Sequence, residues 1–309
     1  MLAQCSTKAS CWNVPSTSHR PKRTPDQPKR RSPETPRSTG LDNISDDVGC
    51  VQAQLGFFNE TQNLLTRWFA FEYDQWFGVI LPAVEAARGV VPLGGTSNHI
   101  PSRIWHEVGG WDEFNVTEDA DLGVRLARHG YRTQLLDSIT LEEANSDVIN
   151  WIRQRSRWYK GYMQTTIVHL RHPLTLLREV GIVATLRLVN MTGGIPIVNV
   201  ANLLFWYLLF VWIAGRSDFF EIIFPPAIYY ICLVLFLVGG SMSIFTSLIV
   251  TLARDKPHLW WAILLQPFYW VLQSIAAIKA IYQLFFRPFY WEKTVHGLNS
   301  TPVVPGQEG

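Results

Sequence analysis

Cysteine is scarce in this chain: four in 309 residues, Cys5, Cys11, Cys50 and Cys232, with no CxxC pair and no histidine at ligand spacing beside them. That pattern argues against a disulfide framework and a zinc site, and reduced thiols are expected. Charge is scarce as well. Asp, Glu, Lys and Arg make up 17% of the residues against 48% hydrophobic ones, with 13 Trp and 17 Phe. A wholly soluble domain is rarely so apolar, so part of the chain is expected in a membrane. The first 30 residues hold no apolar stretch of the kind that directs secretion, which places the N-terminus in the cytoplasm.

What charge there is lies unevenly. Residues 1–41 carry eight Lys/Arg and two Asp/Glu, which leaves 19 against 23 in the remainder. The near-neutral total of +2 therefore hides a basic tail on a slightly acidic body. Residues 1–48 are rich in Pro, Ser and Thr and offer little to bury, so a disordered tail is expected there, solvated and without a nucleic-acid partner. The last third differs. Three stretches, 188–215, 222–253 and 259–278, contain no charged residue. A membrane span needs about 20 predominantly apolar residues, and a soluble core does not account for three such runs in succession. Three spans are the default reading, with Trp212, Trp260 and Trp261 near run ends as interfacial anchors.

Between tail and spans, periodicity predicts alternating strands and helices. Residues 49–55 alternate as a strand. Leu64, Leu65, Trp68, Phe69, Phe71, Trp76 and Phe77 follow helical spacing, with Pro82 as an interruption. Residues 89–102 read as a short strand, a Gly-Gly turn and a second strand. A short helix follows from Arg103, then a helix from Thr117 that stops at Gly130, a strand over 131–137, and a long amphipathic helix over 147–170.

Three stretches within this region can carry chemistry. The segment "NVTEDADLGVRLARHG" opens a helix with Glu118, Asp119 and Asp121. Thr117 can cap that helix, and acids in its first turn suit the macrodipole. The same dipole keeps a carboxylate ionised, as a general base requires. In "QRSRW", Gln154, Arg157 and Trp158 fall on one helix face. Arg157 offers two donors to a phosphate and Trp158 a flat face to a sugar ring; a membrane-surface helix with snorkelling Arg and Trp would have the same pattern. In "PLGGTSNH", the glycines allow close approach of backbone to a ligand, or form a plain turn.

Taken in order, the Gly-Gly-Thr-Ser turn, "GGWDEFNVTEDADLGVRL", "QRSRW" and the apolar runs strongly resemble the membrane-integrated branch of the inverting family 2 glycosyltransferases. The bacterial cellulose, chitin and hyaluronan synthases stand in that branch. The resemblance covers roughly residues 49–298, and "RPFYWEKTVHGL" resembles the usual ending of bacterial members. It implies an α/β fold: a partial GT-A, Rossmann-like cytoplasmic domain over 49–170, followed by an all-α transmembrane region over 171–298 and a disordered tail over 299–309. It implies Asp119 as catalytic base with Glu118 beside it, and Gly95, Thr96, Gln154, Arg157 and Trp158 as substrate-binding residues. The donor would be a nucleotide-diphosphate sugar and the acceptor a glycan or other hydroxyl. The protein would be integral to a bacterial inner membrane, in contact with its lipid, with the catalytic part cytoplasmic.

The resemblance also implies a preceding half-domain that binds the nucleoside diphosphate and, through a DxD motif, a divalent cation, Mg or Mn. No DxD occurs between residues 1 and 100, and the only triplet of that shape, Asp119-Ala-Asp121, belongs to the acidic helix. The expectation is a chain lacking its donor-binding half and inactive by itself. Two other classes compete. A non-catalytic scaffold would retain the fold's second half, against which both motifs are intact. A small transporter would need more charge in its spans than Lys279.

Overall fold

The computed structural model describes residues 9–12, 45–214, 225–288, 290–295 and 297. Cys5, the stretch 24–30, the side chain of Trp212, Leu298 and the tail 299–309 lie outside them. The fold is mixed α/β and helix-rich, with one small sheet and a set of apolar helices. Strand β1 (Ala9–Trp12) falls inside the segment assigned to a tail. Strand β2 (Val48–Phe57) is buried along most of its length, as expected of a strand covered on both faces. With β3 (Asn98–Pro101) and β4 (Arg132–Glu142) they form a sheet in the order β1-β3-β2-β4. β2 pairs in parallel with β4, from Val48 opposite Arg132 to Phe57 opposite Glu142, and antiparallel with β3.

Helix α1 (Leu64–Gln75) starts at a reciprocal cap: the Thr66 amide donates to Asn63 Oδ1 at 2.9 Å and the Asn63 amide donates to Thr66 Oγ1 at 3.0 Å. The expected interruption at Pro82 takes another form. A π-helical turn (Trp76–Ile80) joins α1 to α2 (Leu81–Ala86), and the Leu81 amide donates to the Trp76 carbonyl. One wider turn shifts the hydrogen-bond ladder, so the missing proline amide is tolerated and the helix continues.

Residues 89–93, expected as a strand, form none. Val90, Val91 and Leu93 are buried there beneath a helix rather than paired in a sheet. After α3 (Ser102–Glu107), that helix is α4 (Glu118–Arg128), which ends before Gly130 at φ +84°. α4 rides so closely on this segment that a Cβ on Gly123 would stand 2.3 Å from the Val91 carbonyl oxygen and 3.0 Å from the Leu93 amide. Burial without pairing gives the same apolar run as a strand, which is why periodicity misreads it.

Helix α5 (Val148–His169) is capped by Asp147, whose carboxylate accepts from the Asn150 amide at 2.7 Å. α6 (Pro173–Val180) and α7 (Ile182–Val189) follow, and a second π turn (Asn190–Gly194) leads α7 into α8 (Ile195–Ile213). α9 (Pro226–Ala253) comes next. The stretch 182–211 and α9 are long and apolar enough to cross a membrane, and only 17% and 11% of their most apolar windows are buried within the protein. The third run does not form one straight helix. A 3₁₀ turn (Pro257–Leu259) with α10 (Trp260–Leu264) is bent by 64° from α11 (Gln266–Phe286).

One aromatic-rich core joins the α/β part to these helices. Trp68 and Phe69 of α1, Trp151 and Tyr159 of α5, and Tyr269 and Ala277 of α11 pack together. Inside it Arg155 pairs with Glu72, with Nη2 2.6 Å from Oε2 and Nη1 2.9 Å from Oε1, while its guanidinium lies 5.0–5.1 Å from the rings of Phe69, Trp151 and Trp158.

Gly123→Ala tests the closeness of α4 to residues 91–93. Its Cβ meets backbone rather than a side chain that could move, so about 1–3 kcal/mol of stability should be lost, read as a lower thermal midpoint in detergent.

Candidate functional site

The three acids of the α4 start do different work. Asp121 turns inward, its side chain 3% exposed, and pairs with Arg125 Nε at 2.7 Å and His169 Nε2 at 2.9 Å. Burial pulls its carboxyl upward, but the His169 hydrogen bond and the Arg125 charge outweigh that and hold it below the ordinary carboxylate range. Arg125 also donates to the carbonyls of Val108 and Gly110, fixing the loop before α4. His169 Nδ1 lies 3.0 Å from Arg128 Nη1. An arginine can only donate, so Nδ1 accepts and the ring proton sits on Nε2, toward Asp121. Arg128 in turn pairs with Glu179 of α6 at 2.6 Å.

Glu118 and Asp119 stay half-buried. Asp119 Oδ1 accepts from the Ala120 amide at 2.8 Å. A Cβ built on Gly95 would stand 3.1 Å from Asp119 Oδ2, so the Gly-Gly turn does bring bare backbone against this carboxylate. Thr117 holds the N-cap position but does not cap; its hydroxyl is buried without a hydrogen-bond partner. The reason is its fit against α5, where a Cβ on Gly161 would meet the Thr117 side chain at 2.4 Å.

That contact sets the register of the two helices. Thr165 Oγ1 accepts from Asn115 Nδ2 at 2.9 Å, Gly161 underlies Thr117, and Arg157, one turn earlier, reaches the field of Glu118 and Asp119. Burial pulls the Arg157 guanidinium below its ordinary value, and the charges of Glu118, Asp119 and Glu292 oppose it. Tyr162 lies on the same helix; burial pushes its phenol up and the Asp119 charge adds to that.

The remaining expected site residues do not all converge. Gln154 has its Oε1 buried and unpartnered. Trp158 is half-buried, with Phe69 at 6.0 Å, Tyr73 at 6.5 Å and the Arg155 guanidinium at 5.0 Å. The Thr96 hydroxyl donates to Glu142. A segment that spacing gave no reason to add lies across α5. Arg157 sits over Trp291 at 4.8 Å and donates to the Glu292 carbonyl at 3.3 Å, Lys160 donates to the Tyr290 carbonyl, and Asn150 exchanges hydrogen bonds with Val295. Lys279, set aside as an intramembrane charge, pairs with Glu292 at 2.7 Å.

A carboxylate thus lies against bare glycine backbone and within the field of a guanidinium, an arrangement suited to deprotonating a hydroxyl beside a phosphate. The family model for glycosyl transferase family group 2 matches residues 39–290. The chain belongs to this family. Among proteins it resembles, a probable glucomannan 4-beta-mannosyltransferase 7 of Oryza sativa is 32% identical over 116 residues, 37% of this chain and 20% of the relative. The probable glycosyltransferase YdaM of Bacillus subtilis is 27% identical over 139 residues, 43% and 32% of the two chains. A beta-monoglucosyldiacylglycerol synthase of Synechocystis is 28% identical over 131 residues, 41% and 26%. The matched region spans between 20% and 32% of these relatives' length. The divalent cation expected of such a glycosyltransferase does not fit the described residues: no three His, Cys, Asp or Glu side chains converge among them.

Asp121→Asn removes the charge on which Arg125 and His169 both rely. Breaking a buried pair on one side costs about 3–5 kcal/mol, so unfolding at neutral pH should come markedly earlier. Because the folded carboxyl titrates below its unfolded value, its contribution is present above about pH 4 and is lost as pH falls through the depressed value. The gap between wild type and variant should therefore narrow in acid, as thermal melts across a pH series would record.

Proposed function

We propose that the chain carries the acceptor side of a membrane-integrated inverting glycosyltransferase of the cellulose, chitin and hyaluronan synthase branch. Asp119 takes the proton from an acceptor hydroxyl, and the oxygen attacks the anomeric carbon as the nucleoside diphosphate leaves. Arg157 faces the diphosphate and Gly95 keeps the approach to Asp119 open. Glu118 sets the local field, Thr96 and Gln154 line the opening, and Trp158 offers its exposed part to a sugar ring. The observation that carries this reading is the meeting of Gly95, Asp119 and Arg157, which come from three separate elements. Two relatives are named for β-linked products, which accords with inversion. In this reading the described residues supply neither the nucleotide pocket nor the Mg or Mn ligands, and they alone bind no donor and transfer no sugar.

Membrane placement follows from the same contacts. Arg254 and Lys256, after α9, are bonded to Gln54, Glu60 and Asp74 of the α/β part, and residues 290–295, after α11, are bonded along α5. Both ends of the bent pair are held to one body. We read α10 and α11 as lying along the cytoplasmic membrane face instead of crossing it, with 182–213 and α9 as the two spans.

In a protein with both halves of the domain, Asp119→Asn should lower transfer about 10²–10⁴-fold while donor binding persists; near-normal turnover of labelled nucleotide sugar removes Asp119 from this role. The chain by itself, titrated with UDP or GDP and Mg²⁺ or Mn²⁺ in a calorimeter, should show no saturable binding. Micromolar affinity would put the donor site within the chain.

A further inference from the structure

The surface of α6 and α7 has two unlike sides. Their inner side is apolar and packed: Leu176 and Leu188 join Val90 and Val124 in a small core of their own. Their outer side mixes two kinds of residue. Leu174, Ile182 and Leu186 are 68%, 65% and 65% exposed, far more than large aliphatic side chains facing water would normally be. Among them stand Arg171, His172, Arg178 and Arg187, all exposed. Leu174 and Arg178 on α6, and Val183 and Arg187 on α7, are each four residues apart, so each helix sets an exposed apolar side chain beside a basic one. The one acid on these two helices, Glu179, is already neutralised by Arg128 at 2.6 Å. None of Arg171, Arg178 and Arg187 forms an ion pair among the described residues.

Helix length says where this face lies. α7 runs through the π turn into α8, giving one apolar helix from Ile182 to Ile213. A hydrocarbon core about 30 Å thick takes about 20 residues at 1.5 Å each. Residues 188–213 alone satisfy that need. Arg187 then stands at the headgroup level, α7 carries the same helix out through the headgroup layer to α6, and their exposed apolar side chains meet the acyl boundary while the guanidinium groups reach the phosphates. Arginine donates in pairs to phosphate oxygens. We infer that the outer face of α6 and α7 binds the headgroups of anionic phospholipid, with Arg171, Arg178 and Arg187 as the phosphate donors. The inner face of the same helices packs on Val124 of α4, so the lipid contact lies one helix away from Asp119. This inference rests on membrane insertion and is independent of sugar transfer.

The test uses the detergent-purified chain, with thermal midpoint followed during titration by phosphatidylglycerol or by phosphatidylcholine. Phosphatidylglycerol should raise the midpoint saturably, phosphatidylcholine should not, and 0.5 M salt should remove the effect by screening. Each arginine replaced by glutamine should raise the half-saturating lipid about fivefold, and R171Q/R178Q/R187Q together about a hundredfold. If the triple variant does not fold, R178Q carries the test, since that side chain is exposed on a short surface helix. Equal effects of the two lipids, an unchanged triple variant, or stabilisation reproduced by free phosphate would overturn the assignment. Loss of the preference in R287Q/K293Q instead would also overturn it, by moving the anionic lipid to the far end of α11.

Discussion

The crossing of α4 over α5 is the constraint on which the rest of the site depends. It is held at two points. Near the start of α4, Thr117 fits onto the bare backbone of Gly161; further along, Asp121 meets His169. A side chain at Gly161 would lift α4, and an uncharged residue at Asp121 would leave two cationic or polar partners buried without compensation. With both contacts in place, Arg157 lies within the field of the Asp119 carboxylate. Gly95 reaches the same place because α4 also rides on residues 91–93 at Gly123.

The α/β part and the apolar helices share a core instead of being joined by a linker. Glu72 of α1, Arg155 of α5 and Tyr269 of α11 form one hydrogen-bonded group amid aromatic rings. Arg155 is fixed on both sides, by carboxylate and by ring faces, and one of those rings is Trp158. The orientation of an expected sugar-binding residue therefore depends on a helix that follows it by more than a hundred residues. The same coupling explains the charges around the apolar runs: Lys279, Arg254 and Lys256 are not stranded in lipid but pair with Glu292, Asp74 and Glu60 of the domain face. Burial pushes the Asp74 carboxyl up while Lys256 and Arg254 oppose it, as for an acid held inside a cluster of cations.

The sequence by itself determined the kinds of element and the family. Helical spacing located α1, α4 and α5, charge-free runs located the apolar helices, and the paired acidic and QxxRW stretches marked the two elements that meet at the site. It misread residues 89–93, because burial and strand pairing select the same side chains, and it misplaced the break at Pro82, because a π turn leaves no separate composition. Only the tertiary structure decided which acid turns inward. Glu118, Asp119 and Asp121 are equivalent as letters, and their roles separate only because His169, 48 positions away, takes Asp121. It also parted Arg157 from Trp158, turning one toward Asp119 and the other toward Phe69, and laid residues 290–295 over α5. Local pattern reports which face of a helix is apolar or charged; which partner that face meets is settled by contacts between residues far apart in the chain, and spacing carries no record of them.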